Sequence, residues 1–79
     1  MKIKVKYFAM LRESAGKKEE LIDLENSNIR DLFNQLNQKY RFSIDDHHLA
    51  VAINGHYRNW DYLMSDGDEV VFIPPVAGG

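Results

Sequence analysis

Glu69-Val70-Val71-Phe72-Ile73-Pro74-Pro75-Val76-Ala77-Gly78-Gly79 closes the 79-residue chain, and its reading decides the fold. Residues 69–73 predict a strand with Val70 and Phe72 on one face and Val71 and Ile73 on the other. Pro74 and Pro75 donate no backbone hydrogen bonds, so they end the ladder and stiffen the chain toward an extended form. Gly78 and Gly79 lack Cβ atoms and fit a channel too narrow for any other residue, leaving the terminal carboxylate sterically open. At about 3.3 Å per residue, residues 75–79 span roughly 15 Å. Most short C-termini are simply frayed, but fraying does not account for a Pro-Pro stiffener followed by Gly-Gly. The expectation is a tail that projects from its domain, mobile in the free protein and ordered in a complex.

Working back from the tail, Asp66-Gly67-Asp68 reads as a tight turn. Leu49, Val51 and Ile53 alternate with Ala50 and Ala52, which predicts another strand ending in the turn signal Asn54-Gly55. Residues 56–64 mix aromatics with polar groups. With Arg58 their one base, Tyr57, Trp60 and Tyr62 suit the packing of small turns better than base stacking. Residues 41–48 read as a loop anchored by Phe42 and Ile44. Asp45-Asp46-His47-His48 in that loop is the one metal-like cluster. Adjacent residues of an extended chain point apart and a further ligand at sensible spacing is missing, so no metal site is expected.

Ile29, Leu32, Phe33, Leu36 and Tyr40 recur at helical spacing and predict an amphipathic helix of about twelve residues. Asn28 is its expected cap, with Asp31 reaching back in a capping-box variant. At the start of the chain Ile3, Val5 and Tyr7 alternate with Lys2, Lys4 and Lys6, so residues 2–8 read as a strand with Phe8 on the lysine face. A short helical turn follows over residues 9–14, and residues 18–24 read as a second strand in hairpin relation to the first. The order is strand, strand, helix, strand, strand, tail, a two-layer α+β arrangement.

Composition narrows the function. A chain of 79 residues makes one domain, residues 1–79, with a thin core and little room for an enclosed active site. It has no cysteine, which excludes thiolate chemistry in this chain and suits a cytoplasmic setting. No apolar run has the length of a membrane span. A net charge of −2 argues against nucleic acid as the primary partner. The charge is uneven. Six of the ten bases lie in residues 1–18, whereas residues 59–79 hold Asp61, Asp66, Asp68 and Glu69 and no base. The tail is therefore expected to leave an acidic neighbourhood suited to a basic partner.

The order of elements with a Gly-Gly end is similar to the ubiquitin-like β-grasp: a mixed sheet of four to five strands, one main helix on one face, and a projecting C-terminal tail. Tyr7-Phe8-Ala9-Met10-Leu11-Arg12-Glu13, Asn28-Ile29-Arg30-Asp31-Leu32 and Asp66-Gly67-Asp68-Glu69-Val70, running into Pro74-Pro75-Val76-Ala77-Gly78-Gly79, resemble the small, sulfur-carrier subunit family of molybdopterin synthase. Lys6 stands where that family often has an apolar residue, and Asn28 where it often has threonine.

The resemblance implies a non-catalytic sulfur donor with no bound cofactor. An adenylating partner would spend ATP on the Gly79 carboxylate, and a persulfide donor would convert the adenylate to a thiocarboxylate. That sulfur would pass to a cyclic pyranopterin monophosphate inside the large synthase subunit, in a complex of two small and two large subunits. Gly79 is the reacting residue. Phe8, Ala52, Val71 and Ile73 are expected to form one apolar patch that docks on the large subunit, while Pro74, Pro75, Val76, Ala77 and Gly78 thread into it. A sulfur carrier for the thiamine pathway and a ubiquitin-like protein modifier remain as alternatives, since both share the fold and the adenylate.

Overall fold

The computed structural model describes residues 1–42 and 44–74. Five strands and two helices follow one another as β1 (Lys2–Lys6), α1 (Ala9–Ala15), β2 (Glu19–Asp23), α2 (Ile29–Tyr40), β3 (Ala50–Ile53), β4 (His56–Arg58) and β5 (Glu69–Ile73), with a 3-10 turn at Asp46–His48 before β3. The strands form one mixed sheet in the order β2-β1-β5-β3-β4. β1 and β5 run parallel, with Val5 opposite Val70 and Lys6 opposite Val71. The other pairs are antiparallel. This is the ubiquitin-like β-grasp, and it places the last strand in the middle of the sheet.

Alternation in the strands separates the two faces as their period of two requires. Ile3, Val5 and Tyr7 of the first run, and Val70 and Phe72 of the last, are buried beneath the helices. α2 contributes Ile29, Leu32, Phe33 and Leu36 to the same core, and α1 contributes Leu11 and Ala15. Aromatic rings fill its centre. Phe33 packs edge-on against Phe72 and Trp60, and Trp60 stacks on Phe72 with ring centroids 5.7 Å apart. The Trp60 indole N–H donates to the Leu49 carbonyl.

Two local details differ from the sequence reading. β4 is a true edge strand, although its three residues show no apolar alternation. It exists because Asn54 (φ 52°) and Gly55 (φ 85°) both take left-handed conformations, the requirement of a two-residue type I′ hairpin that folds His56 back onto Ile53. The start of α2 is the second. The Asn28 side chain accepts from the Asp31 amide at 3.0 Å as expected. Asp31 does not reach back. Asn26 does so instead, accepting from the Asn28 amide at 2.9 Å while its own Nδ2 donates to the Asp31 carboxylate.

Candidate functional site

Phe8, Ala52, Val71, Ile73 and Pro74 are described by the structure. Pro75, Val76, Ala77, Gly78 and Gly79 lie outside the described residues. The site is therefore built from the surface at the end of β5.

Neither helix covers the second face of the sheet, and register places the residues on it. Val71 lies between Lys6 of β1 and Ala52 of β3, and Ala52 lies opposite Tyr57 of β4. These four therefore form one row across the face. One step toward the end of β5, Ile73 sits opposite Ala50. Extending the parallel β1–β5 register by two residues brings Phe8 level with Ile73. Phe8 is 44% exposed and Tyr57 72%, while Val71, Ile73 and Pro74 are half-buried.

Ala52 contributes less surface than the sequence suggested. It is only 7% exposed, because its small side chain lies between Val71 and Tyr57. Tyr57, which the sequence suits to turn packing, is instead the most exposed large apolar side chain on the described surface. The signal for it was present. A two-residue hairpin at Asn54-Gly55 pairs residue 53 with 56 and hence 52 with 57, on the same face as Val71.

Phe8 is held outward by the backbone. Its own φ/ψ is extended and its carbonyl accepts from the Leu11 amide at 3.0 Å, starting α1. Ala9 then takes φ 50°, a left-handed conformation that a non-glycine residue adopts at a cost of about 1 kcal/mol or more. The Arg12 guanidinium stacks over the Phe8 ring at 5.9 Å, and its Nε donates to the Tyr7 carbonyl.

Two of the lysines on this face are engaged with carboxylates. Lys4 Nζ lies 3.0 Å from Glu19, and Lys6 Nζ 3.6 Å from Glu69. The Glu19 hydrogen bond and charge hold the Lys4 ammonium above the ordinary lysine pKa. Pairing with Glu69 draws the Lys6 charge back along β5, away from Ile73.

Two of the acids expected to surround the tail, Asp66 and Asp68, lie at the other end of β5. Asp66 and Asp68 precede β5 while Pro74 follows it, a separation of about 20 Å for six residues of extended chain. Their carboxylates serve the fold. Asp66 accepts from the Lys2 amide, and Asp68, almost fully buried, accepts from Ser65 N at 2.7 Å and Asn54 Nδ2 at 2.9 Å. Parallel pairing with β1 instead brings the bases of residues 6–18 to the end of the sheet where β5 leaves. Sequence distance hid this proximity.

Behind that end lies a polar cluster that the sequence reading missed. The buried Tyr7 hydroxyl and the Tyr40 hydroxyl both donate to one oxygen of Glu20 at 2.5 Å, and Lys17 and Lys39 approach the other at 3.6 and 3.9 Å. Burial pushes the Glu20 carboxyl up, but the two phenols and two ammonium groups outweigh it, and the net direction is down. Burial and the neighbouring Glu20 together push the Tyr7 phenol well above its ordinary value. The cluster ties β1, β2 and the end of α2 together.

Asp45, Asp46 and His47 converge, with His47 Nδ1 3.1 Å from an oxygen of each carboxylate. The Asp45 hydrogen bond and both charges raise the His47 pKa, and the His47 hydrogen bond lowers that of Asp45. Asp46 also pairs with Arg30. The Arg30 guanidinium and, when protonated, the His47 imidazole place positive charge beside these acids.

Comparisons with known proteins align with this geometry. The sequence model of the ThiS family matches residues 5–79. A molybdopterin synthase sulfur carrier subunit from Mycobacterium tuberculosis is 36% identical over 83 residues, covering 100% of this chain and 99% of the relative. The solution structure of small archaeal modifier protein 1 from Methanosarcina acetivorans superposes with a TM-score of 0.77 at 30% identity, covering 99% and 96% of the two chains. The complex of subunits 1 and 2 of molybdopterin-converting factor from Helicobacter pylori contains a chain with a TM-score of 0.72 at 25% identity, covering 100% of both.

Proposed function

The chain belongs to the ThiS family of ubiquitin-like sulfur carriers, and from that membership we propose that it is the sulfur-carrier subunit of molybdopterin synthase. The observation that carries the reading is the place of β5. The central strand delivers Pro74 beside an uncovered sheet face bearing Phe8, Val71, Ile73 and Tyr57, and the sequence beyond it ends in Gly78-Gly79. A carrier needs a surface that docks and, further along the chain, an unhindered carboxylate. The full-length similarity to a sulfur carrier subunit supports the same assignment.

The chemistry starts from a poor electrophile. A carboxylate does not exchange oxygen for sulfur unaided. An adenylating partner joins the Gly79 carboxylate to AMP from ATP and releases pyrophosphate. A persulfide sulfur displaces AMP, and a thiol of the sulfur donor then attacks the remaining S–S bond, closing a disulfide on the donor and leaving a thiocarboxylate. Its anionic sulfur attacks cyclic pyranopterin monophosphate held by the large subunit, forming a thioester between carrier and precursor, and water then cleaves the acyl–sulfur bond, returning the Gly79 carboxylate and leaving one half of the dithiolene on the precursor. Each carrier brings one sulfur, so two are consumed per product, in keeping with two small and two large subunits. The chain supplies the reacting atom and the docking face, while acid–base catalysis belongs to the partner. We place these steps in the cytoplasm, where ATP is at hand.

A second reading, conjugation of Gly79 to lysine amines, is favoured by the likeness to a small archaeal modifier protein. A thiamine-pathway carrier shares the activation step. Intact-mass measurement on protein isolated from its host separates carrier from modifier. Replacement of one oxygen by sulfur, with transfer to the precursor when purified large subunit is added, is the expected result. Attachment to other proteins, with no sulfur transfer to that precursor, overturns the reading.

A further inference from the structure

The polar cluster around Glu20 stands directly behind Phe8. Tyr7 precedes Phe8 in the chain, is 1% exposed, and turns to the helix-covered side as Phe8 turns to the open side. The Tyr7 hydroxyl donates to the Glu20 oxygen that also accepts from Tyr40, and Lys17 and Lys39 flank the other oxygen, so the carboxylate is held from two sides. The Tyr7 ring is wedged as well, edge-on to Tyr40 with centroids 6.0 Å apart and tilted against Phe42 at 6.2 Å. Its amide donates to the Lys18 carbonyl at 2.8 Å, and its carbonyl accepts from Arg12 Nε. Beyond Phe8 the chain is strained. Ala9 takes φ 50°, and a left-handed alanine persists only where its neighbours over-determine it. Leu11, fully buried on α1, anchors the far side of Ala9, and Tyr7 anchors the near side. With the Tyr7 anchor released, Ala9 is free to relax toward ordinary backbone and Phe8 turns with it.

We infer that Glu20, acting through the Tyr7 hydroxyl, is a positioning residue for Phe8: it locks the backbone ahead of the strained Ala9 and so presets the Phe8 ring for docking. The inference rests on the functional reading above, in which Phe8 belongs to the docking face. Glu20 itself is only 12% exposed and lies on the helix-covered side of the sheet, so it acts on the open face only through the chain. Its Tyr7 bond joins a residue of β2 to the residue just before Phe8, across 13 positions of sequence. A side chain already held in its bound orientation loses less freedom on association, which tightens binding without adding a contact.

The test is a double-mutant cycle read by titration calorimetry of the full chain against purified large subunit, at pH 7 and below the melting temperature of every variant. Tyr7→Phe removes only the hydroxyl that reaches Glu20 and leaves the ring in place. Glu20→Gln removes the charged acceptor. Asn28→Ala, at the start of α2, is the control for loss of stability alone. Tyr7→Phe and Glu20→Gln are each expected to weaken binding about 5-fold, the size expected when one side chain must be ordered on association. Asn28→Ala should stay within about 2-fold of wild type. In a Phe8→Ala background Tyr7→Phe should cause no further loss, because nothing is left to position. In the free chain, Tyr7→Phe should shift and broaden the Phe8 ring resonances while those of the Val71 and Ile73 methyl groups hold. Wild-type affinity for both Tyr7→Phe and Glu20→Gln overturns the inference and leaves the function standing. So does an equal loss with and without the Phe8 ring, which assigns the cluster to stability alone. A control that loses as much as Tyr7→Phe has the same meaning. Failure of the wild type to bind the large subunit overturns the functional reading, and the inference with it.

Discussion

Gly79 and Glu20 carry the sharpest demands on single residues. The carrier chemistry needs an unhindered carboxylate at a fixed reach from β5. Deleting Gly79 should therefore abolish thiocarboxylate formation, read by intact mass, with the melting temperature unchanged. Gly78→Val should also block transfer, because a branched Cβ restricts φ and widens the chain where it must pass a narrow channel. Glu20 tests the fold. Its folded pKa is depressed below the ordinary carboxyl value of 4.5. A depressed acid contributes stability above its unfolded pKa and loses it as pH falls through the folded value. Glu20→Gln should lower stability at pH 7 by about 2 kcal/mol, because two phenol donors lose a charged acceptor. It should also flatten the decline of the melting temperature below about pH 4.5 relative to wild type. Parallel acid melting curves for the two proteins would remove Glu20 from the account.

Two elements are set by short polar devices. The start of α2 depends on Asn28, whose side chain takes up the Asp31 amide. Asn28→Ala should cost about 1 kcal/mol by chemical denaturation, while Asn28→Ser or Asn28→Asp should cost little, since each retains a capping oxygen. The turn before β5 is stitched to β1 and to the β3–β4 hairpin. Gly67 N donates to the Lys2 carbonyl, Asp68 binds Ser65 N and Asn54 Nδ2, and Asn54 Oδ1 accepts from Glu69 N. Asp68→Ala should destabilise the protein by about 2 kcal/mol, since it strands buried donors on both sides. The Asp-Gly-Asp stretch thus serves the fold and positions β5. Asp68→Asn is therefore expected to retain sulfur transfer wherever the protein remains folded.

At the scale of the whole molecule, a sheet with helices on one side leaves the other side to a partner. Phe8→Glu or Ile73→Glu should weaken binding to the large subunit at least about 10-fold by titration calorimetry, through a buried unpaired charge. The circular dichroism spectrum should not change, because both side chains lie outside the helix-covered core. Tyr57→Ala should give a smaller loss in the same assay if the docking face reaches β4. Wild-type affinity for both Phe8→Glu and Ile73→Glu would remove this face from the interface.

Periodicity and turn chemistry are local, so the sequence by itself determined the elements they govern. The alternation of Ile3, Val5 and Tyr7, the helical spacing from Ile29 to Tyr40, the Asn54-Gly55 and Asp66-Gly67-Asp68 turns, and the Gly-Gly end were all legible. So was the face to which Phe8, Val71 and Ile73 belong, because side chains on a strand alternate strictly. Tertiary structure decided whatever depends on which strand lies beside which. Parallel pairing of β1 with β5 carried Arg12 and Lys18 to the exit of the tail and left Asp66 and Asp68 at the opposite end. The β3–β4 hairpin placed Tyr57 on the open face and covered Ala52. Closure of β2 and α2 onto β1 gathered Tyr7, Glu20 and Tyr40, residues up to 33 positions apart, around one carboxylate oxygen. Charge and hydrogen bonding act through space, and the distances that govern them come into being only when the sheet closes.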